Sequence, residues 1–126
     1  NNSCGARSIR YGNMVHNVLA IDAVLADGTA ARFDPASDFP LARKVREIVA
    51  REAEEIAARW PQVLRRVQGY NLDMAAANLA HLLVGSEGTL AYTRALTLRL
   101  APLPKDKTLG VCHFPTFRRA MESAQH

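Results

Sequence analysis

The chain has 126 residues, of which 48% are hydrophobic and 22% are charged, and its formal net charge is +4. This composition excludes a disordered chain, and the length gives room for one small domain. No apolar run reaches the ~20 residues that a membrane-spanning helix needs. The positive charge leaves open an alternative function, that of a small basic α+β binding module for nucleic acid or a protein partner, without catalysis. The basic residues are scattered among acids, however, so a solvated surface is the simpler interpretation.

Cysteine and histidine are too dispersed to predict a metal site. Cys4 and Cys112 lie far apart, and the four histidines show no ligand spacing. We therefore predict reduced thiols, a cytoplasmic location and no metal bound by this chain. The histidines are expected to be packing or surface residues.

The first third of the chain predicts a loop and a hairpin. Residues 1–12 are rich in Asn, Ser, Gly and Arg and have no helical or strand period, which indicates a loop. Residues 18–25 and 29–33 read as strands, and Asp27-Gly28 between them favours a tight hairpin. Asp22, in the middle of the first strand, is expected to be exposed or hydrogen-bonded.

An amphipathic helix is predicted for residues 41–60, because the apolar residues recur there at spacings of three and four. Asp38 is the expected N-cap, Pro40 suits the first turn, and Pro61 ends the helix. We expect this helix to lie across one face of an antiparallel sheet that also includes residues 93–100.

The segment Gly69-Tyr70-Asn71-Leu72-Asp73 has two interpretations. It contacts a ligand, or Gly69 turns the chain and either Asn71 or Asp73 caps the next helix. We favour capping for Asn71 and Asp73 and leave Tyr70 open. Residues 74–84 are apolar nearly all round, which predicts a short helix buried on most sides.

The most informative segment is Gly85-Ser86-Glu87-Gly88-Thr89, between that helix and the alternating strand 93–100. Two glycines three positions apart allow the backbone to bend tightly and to come close to a ligand. Successive N–H groups in such a bend can form an anion-binding nest. On these grounds alone, an ordinary turn is the simpler interpretation.

Two segments resemble a known family. They are residues 1–12, NNSCGARSIRYG, and residues 85–90, GSEGTL, which a strand and Pro102-Leu103-Pro104 follow. Both resemble FAD-linked oxidases of the vanillyl-alcohol oxidase/PCMH superfamily, in particular D-lactate and D-2-hydroxyglutarate dehydrogenases and the flavoprotein subunit of glycolate oxidase. The resemblance covers residues 1–104 and implies an α+β fold, an antiparallel sheet with helices packed on one face, as the second half of a PCMH-type FAD-binding domain.

The resemblance also implies a cofactor and a reaction. FAD would lie against both segments and accept a hydride from a D-2-hydroxy acid. For Glu87 we give equal weight to a second role, in which the carboxylate pins its own turn by accepting nearby N–H groups. No catalytic residue is identified within the chain. The candidate FAD contacts are Asn1, Asn2, Ser3, Cys4, Gly85, Glu87, Gly88, Thr89, Leu90 and Ala91.

A longer protein is implied as well. The loop that holds the FAD pyrophosphate would precede residue 1, and a substrate-binding cap domain would begin at residues 105–126, with a strand over 108–114 and a helix over 115–125. Metal-binding histidines and an iron–sulfur region would lie beyond this chain, which has nothing to ligate a cluster. The expected partners are FAD and a small 2-hydroxy acid, with no nucleic acid and no integral membrane segment. The 126-residue chain by itself is expected to fold at least in part, to self-associate, and to bind FAD weakly or not at all.

Overall fold

A three-stranded antiparallel sheet forms the centre of the protein. The computed structural model describes residues 1–3, 5–63 and 65–124. Strand β1 (Val18–Val24) lies in the middle, between β2 (Ala30–Phe33) and β3 (Tyr92–Leu98). The α+β class, the antiparallel sheet and its three strands are therefore confirmed.

The hairpin between β1 and β2 is confirmed, although its loop is longer than predicted. The N–H of Leu25 donates to the carbonyl of Thr29 at 2.9 Å, so three residues rather than two make the turn. Gly28 closes this loop at a φ of 83°, in the left-handed region that such a loop requires at its last residue. Asp22 is hydrogen-bonded as expected, because its carboxylate accepts from Arg32 on β2 at 3.1 Å.

The first residues are more ordered than a loop. Two single-turn helices, α1 (Ser8–Tyr11) and α2 (Met14–Asn17), precede β1. The prediction of a loop over residues 1–12 is therefore wrong for α1. One helical turn is too short to show a 3.6-residue period, so the hydrophobic pattern could not have revealed it.

The predicted helix over residues 41–60 is two helices, α3 (Pro40–Arg51) and α4 (Ala53–Arg59). The hydrophobic pattern of the sequence does not reveal the break at Glu52, because helical hydrogen bonding continues across it. The N–H of Glu52 donates to Ile48 at 3.0 Å, and its carbonyl accepts from Ile56 at 2.9 Å. The apolar period is therefore unchanged through the break.

The start of α3 confirms one predicted signal and corrects another. Pro40 occupies the first turn, as predicted, but the N-cap residue is Phe39 and no side chain caps the helix. Asp38 is not the cap, because its carboxylate accepts from Arg43 at 2.9 Å instead.

Asp34 lies in the loop between β2 and α3. Partial burial raises the pKa of its carboxyl group, but hydrogen bonds from Ser37, Arg32 and Ala36 outweigh burial and lower that pKa below its ordinary value.

The predicted helix over residues 74–84 is also divided, into α5 (Leu72–Ala75) and α6 (Ala80–Leu83). Asn78 explains the division. Its buried side chain accepts the N–H of Ala80 at 2.9 Å and donates to the carbonyl of Leu19 at 3.0 Å. An asparagine that offers the backbone such alternative bonds interrupts a helix.

Two hydrophobic clusters stabilise the fold. The larger one joins the sheet to α2, α6 and the start of α3, where Ala42 is buried. The smaller one holds Val49, Ile56 and Ala75, from α3, α4 and α5. Most of the 40–59 segment therefore packs on α5, and the prediction that it lies across the sheet is wrong beyond its first turns.

Strand β3 is paired on one side and open on the other. Leu96 pairs with Ile21 and Leu98 with Val18, both buried, yet Leu96 and Leu98 are 50% and 37% exposed. All seven residues of β3 are exposed, so neither face of this strand is covered by the described residues, and its second edge has no neighbouring strand among them.

The last described residues form one helix. Residues 99–116 contain neither helix nor strand, so the predicted strand over 108–114 is wrong, since no neighbouring strand pairs with it in the part of the chain that the structure describes. The predicted C-terminal helix is confirmed as α7 (Phe117–Ser123). No helix in the described residues is both long and apolar enough to cross a membrane.

Candidate functional site

The segment 85–89, which we call the glycine loop, joins α6 to β3 through three residues in the left-handed region. Gly85, Glu87 and Gly88 have φ angles of 89°, 52° and 83°. Thr89 closes the loop, because its N–H and its hydroxyl lie 3.0 and 2.6 Å from the carbonyl oxygen of Ser86. Ser86 is buried, whereas Glu87 and Gly88 are exposed.

The exposed part of the glycine loop carries free hydrogen-bonding groups. The N–H groups of Glu87 and Gly88 have no acceptor among the described residues, and the Glu87 carboxylate has no hydrogen bond or ion pair to any of them. The interpretation that Glu87 pins its own turn is therefore wrong, since Thr89 does so. Two successive free N–H groups, with left-handed residues beside them, can bind an anionic or carbonyl oxygen.

The N-terminal segment meets the glycine loop at Gly85. A methyl group built on Gly85 would lie 3.4 Å from the Cβ atom of Asn2 and 3.3 Å from the carbonyl oxygen of Gly69. The two sequence motifs that predicted a site thus lie side by side, although Asn2 and Gly85 are 83 positions apart in the chain. A side chain here would require the carbonyl of Gly69 to give way slightly, so glycine favours this close approach.

A third segment, Gly69-Tyr70-Asn71, contacts the glycine loop and the residue that precedes it. Asn71 is 1% exposed, and its side-chain amide donates to the carbonyl of Val84 at 2.7 Å. The Tyr70 hydroxyl lies 2.9 Å from the hydroxyl of Thr89. Sequence reasoning missed these contacts, because a side chain that bonds a residue 13 or 19 positions away leaves no local pattern.

The capping prediction for this segment is wrong. Asn71 occupies the N-cap position of α5, but no side chain caps that helix. Asp73 pairs with Arg66 at 2.7 Å. Both side chains bond tertiary partners instead of the first turn of α5.

A surface cavity of about 670 Å³ lies beside Tyr70, between the end of α4 and the 61–70 segment. Its lining combines the apolar side chains of Trp60 and Val67 with the cationic side chains of Arg59 and Arg65. A cavity of this size fits a ligand on the scale of a nucleotide.

Comparison with known proteins shows what the chain is similar to. No family model matches it. It is 32% identical, over 94% of its length, to a protein of Danio rerio named probable D-lactate dehydrogenase, and 33% identical, over 95%, to D-lactate dehydrogenase of Archaeoglobus fulgidus. It is 29% identical, again over 95%, to D-2-hydroxyglutarate dehydrogenase of Pseudomonas putida. The chain is a relative of the D-lactate and D-2-hydroxyglutarate dehydrogenases. It spans 18%, 20% and 14% of the lengths of these three proteins.

This result confirms the resemblance that the two motifs predicted. The matched region includes nearly the whole chain and so covers the central sheet as well as the glycine loop. The individual contacts with a cofactor stay predictions for this relative of the dehydrogenases.

The N-terminal candidates of this dehydrogenase relative differ in what their side chains can offer. Asn2 is 3% exposed, and its amide accepts the N–H of Val15 at 3.0 Å and donates to the carbonyl of Arg66 at 3.4 Å. Its side chain is thus already engaged within the protein. Asn1 and Ser3 are exposed, and Cys4 lies outside the described residues.

The last two candidates anchor the glycine loop to the sheet. Ala91 is buried in the larger hydrophobic cluster, and the partly buried Leu90 packs against that cluster. Their side chains therefore face the core, which leaves backbone atoms for a cofactor. The described residues contain no group of three or more His, Cys, Asp or Glu side chains that could hold a metal ion.

Proposed function

We propose that the chain is part of an FAD-dependent oxidoreductase that oxidises a D-2-hydroxy acid, of the D-lactate, D-2-hydroxyglutarate or glycolate class, by hydride transfer to FAD. The observation that carries this proposal is the similarity to D-lactate and D-2-hydroxyglutarate dehydrogenases over 94–95% of the chain. Because the chain spans a fifth or less of those proteins, the activity is proposed for the longer protein.

The glycine loop fits the role of a cofactor-binding surface. Nothing lies within 4 Å of where a side chain on Gly88 would begin, so a ligand can approach its backbone. The free N–H groups of Glu87 and Gly88 would donate to oxygens of FAD, and the exposed Asn1 and Ser3 would supply side-chain contacts across the junction. When bound, FAD supplies the hydride acceptor, while these residues bind and orient it.

We also propose a division of the chain between residues 104 and 105. Residues 1–104 would be the second half of a PCMH-type FAD-binding domain, and residues 105–126 would begin the substrate-binding cap domain. The absence of helix and strand from residues 99–116, all of them described, supports a boundary there. The iron–sulfur cluster that the resemblance implies is proposed for the longer protein, outside these 126 residues.

The proposed partners are FAD and a small 2-hydroxy acid, and the proposed location is the cytoplasm. The name of the Danio rerio relative includes the word mitochondrial, so this location needs a direct test. Cell fractionation followed by immunodetection of the protein provides it.

The open edge of β3 supports self-association of the isolated chain. An exposed strand edge with apolar side chains is a template for pairing with another copy. We expect the 126-residue chain to elute as a dimer or larger species, and Leu96→Lys to shift it toward the monomer. Size-exclusion chromatography with light scattering measures both. A wild-type chain that is monomeric at all concentrations contradicts the proposal.

The reaction itself is tested on the full-length protein. We expect a yellow protein with a flavin spectrum, which bleaches when D-lactate or D-2-hydroxyglutarate is added without oxygen. L-lactate is the control, because it has the same groups with the opposite configuration, and it should leave the spectrum unchanged. A colourless protein, or a flavin that no 2-hydroxy acid reduces, contradicts the proposal.

A further inference from the structure

Three consecutive residues contact both ends of the glycine loop. The amide of Asn71 donates to Val84, directly before the loop, and the carbonyl of Gly69 packs against Gly85, its first residue. The hydroxyl of Tyr70 reaches Thr89, its last residue. We call residues 69–71 the clamp. Between these contacts, the free N–H groups of Glu87 and Gly88 are left without a partner among the described residues.

We infer that Tyr70 is a positioning residue, which keeps the glycine loop in the conformation that offers the N–H groups of Glu87 and Gly88 to a ligand. That the ligand is FAD rests on the proposed function. The clamp itself rests on the contacts alone.

The hydroxyl groups of Tyr70 and Thr89 act in series. Thr89 has one hydroxyl hydrogen, and its oxygen lies 2.6 Å from the carbonyl of Ser86, which can only accept. Thr89 therefore donates to Ser86 and accepts from Tyr70 at 2.9 Å. Such a chain of hydrogen bonds strengthens each member, so the tyrosine hydroxyl supports the bond that closes the loop.

Tyr70 also differs from its two neighbours in the clamp. Asn71 is buried, and Gly69 contributes backbone, so changes there disturb the packing of the fold. Tyr70 is 42% exposed, and its side chain lines the 670 Å³ cavity. Its hydroxyl can therefore be removed without disturbing either hydrophobic cluster. A ligand in the cavity would therefore contact the ring of Tyr70, whose hydroxyl also contacts the glycine loop at Thr89.

Loss of the hydroxyl should let the loop open more often. A neutral hydrogen bond of ordinary strength corresponds to about a fivefold change in the open population. A ligand that binds only the closed loop then loses affinity in proportion to the fall in the closed fraction, by up to the same factor.

Hydrogen exchange tests the clamp directly. The reporter is the N–H of Thr89, which is bonded to Ser86 in the closed loop. We expect Tyr70→Phe and Thr89→Val to raise its exchange rate about fivefold. Thr89→Ser retains the hydroxyl and should restore protection. Tyr92→Phe is the matched control, because Tyr92 is 73% exposed and its hydroxyl has no hydrogen bond to a described residue.

The same variants of the full-length protein test the consequence for the cofactor. Tyr70→Phe should weaken FAD binding by up to about fivefold, with an unchanged circular dichroism spectrum. An unchanged exchange rate at Thr89 overturns the clamp. Faster exchange with unchanged FAD affinity overturns the positioning role. If the wild-type protein binds no FAD, the proposed function fails, and the exchange rates still decide whether the clamp exists.

Discussion

Gly85→Ala is expected to lower the free energy of unfolding by about 3 kcal/mol. The left-handed φ of 89° costs an alanine about 1–2 kcal/mol. The added methyl group would also lie 3.3 Å from the carbonyl of Gly69 and 3.4 Å from Cβ of Asn2. Because one of these neighbours is backbone, relief requires the clamp or the N-terminal segment to move.

Gly88→Ala is the matched control for this substitution. Its φ of 83° imposes nearly the same strain, but nothing lies within 4 Å of the added atom. We expect a loss of about 1–2 kcal/mol for Gly88→Ala, from strain alone. Urea unfolding followed by circular dichroism measures both variants. Equal losses would show that Gly85 is not closely packed between the two segments.

Asn71→Ala is expected to destabilise the protein by about 3 kcal/mol. The side chain is 1% exposed, and its removal leaves the carbonyl of Val84 without its donor at a site that water does not reach freely. A buried acceptor left unpaired costs about 1–3 kcal/mol, and the cavity adds to that loss. Asn1→Ala, at an exposed position, should change stability by less than about 0.5 kcal/mol.

Asn71→Asp distinguishes between a role of this residue as the cap of α5 and its role as a donor to the carbonyls of Val84 and His81. Aspartate is as good an N-cap as asparagine, so a capping role predicts almost no change. The structure predicts a clear loss, because a carboxylate would face the carbonyl oxygens of Val84 and His81, and Arg66, 3.5 Å from the present side-chain oxygen, would offset only part of that cost. The unfolding midpoint of this variant decides between them.

The parts of the fold that the sequence predicted are those with a local signal. The content of Val, Ile and Leu predicted β1, and alternation predicted β3. Asp27-Gly28 predicted the hairpin, and helical spacing predicted one helix where α3 and α4 lie. The breaks at Glu52 and Asn78 were not predictable from spacing. At Glu52 the hydrogen bonds continue, and at Asn78 the cause is a bond to Leu19, 59 positions away.

In the candidate site, too, the features with a local sequence signal were predicted and those set by distant contacts were not. The two glycines and the residues around them predicted the glycine loop, and the amino-acid sequences of residues 1–12 and 85–90 predicted the family. The role of Asn2 was not predictable, because its bond to Arg66 spans 64 positions. Tyr70 was left open for the same reason, since its partner Thr89 lies on the far side of α5 and α6.

Glu87 is the one non-glycine residue of the glycine loop in the left-handed region, so stability alone would favour a different residue there. A non-glycine residue at a φ of 52° carries backbone strain of about 1 kcal/mol, and no described contact of its carboxylate offsets that strain. An engineering scheme that ranks substitutions by thermostability alone would place glycine at this position. It would thereby delete the sole carboxylate of the loop and give the backbone of that turn new conformational freedom. Stabilised versions of this protein are therefore better sought in the two hydrophobic clusters than in the turn.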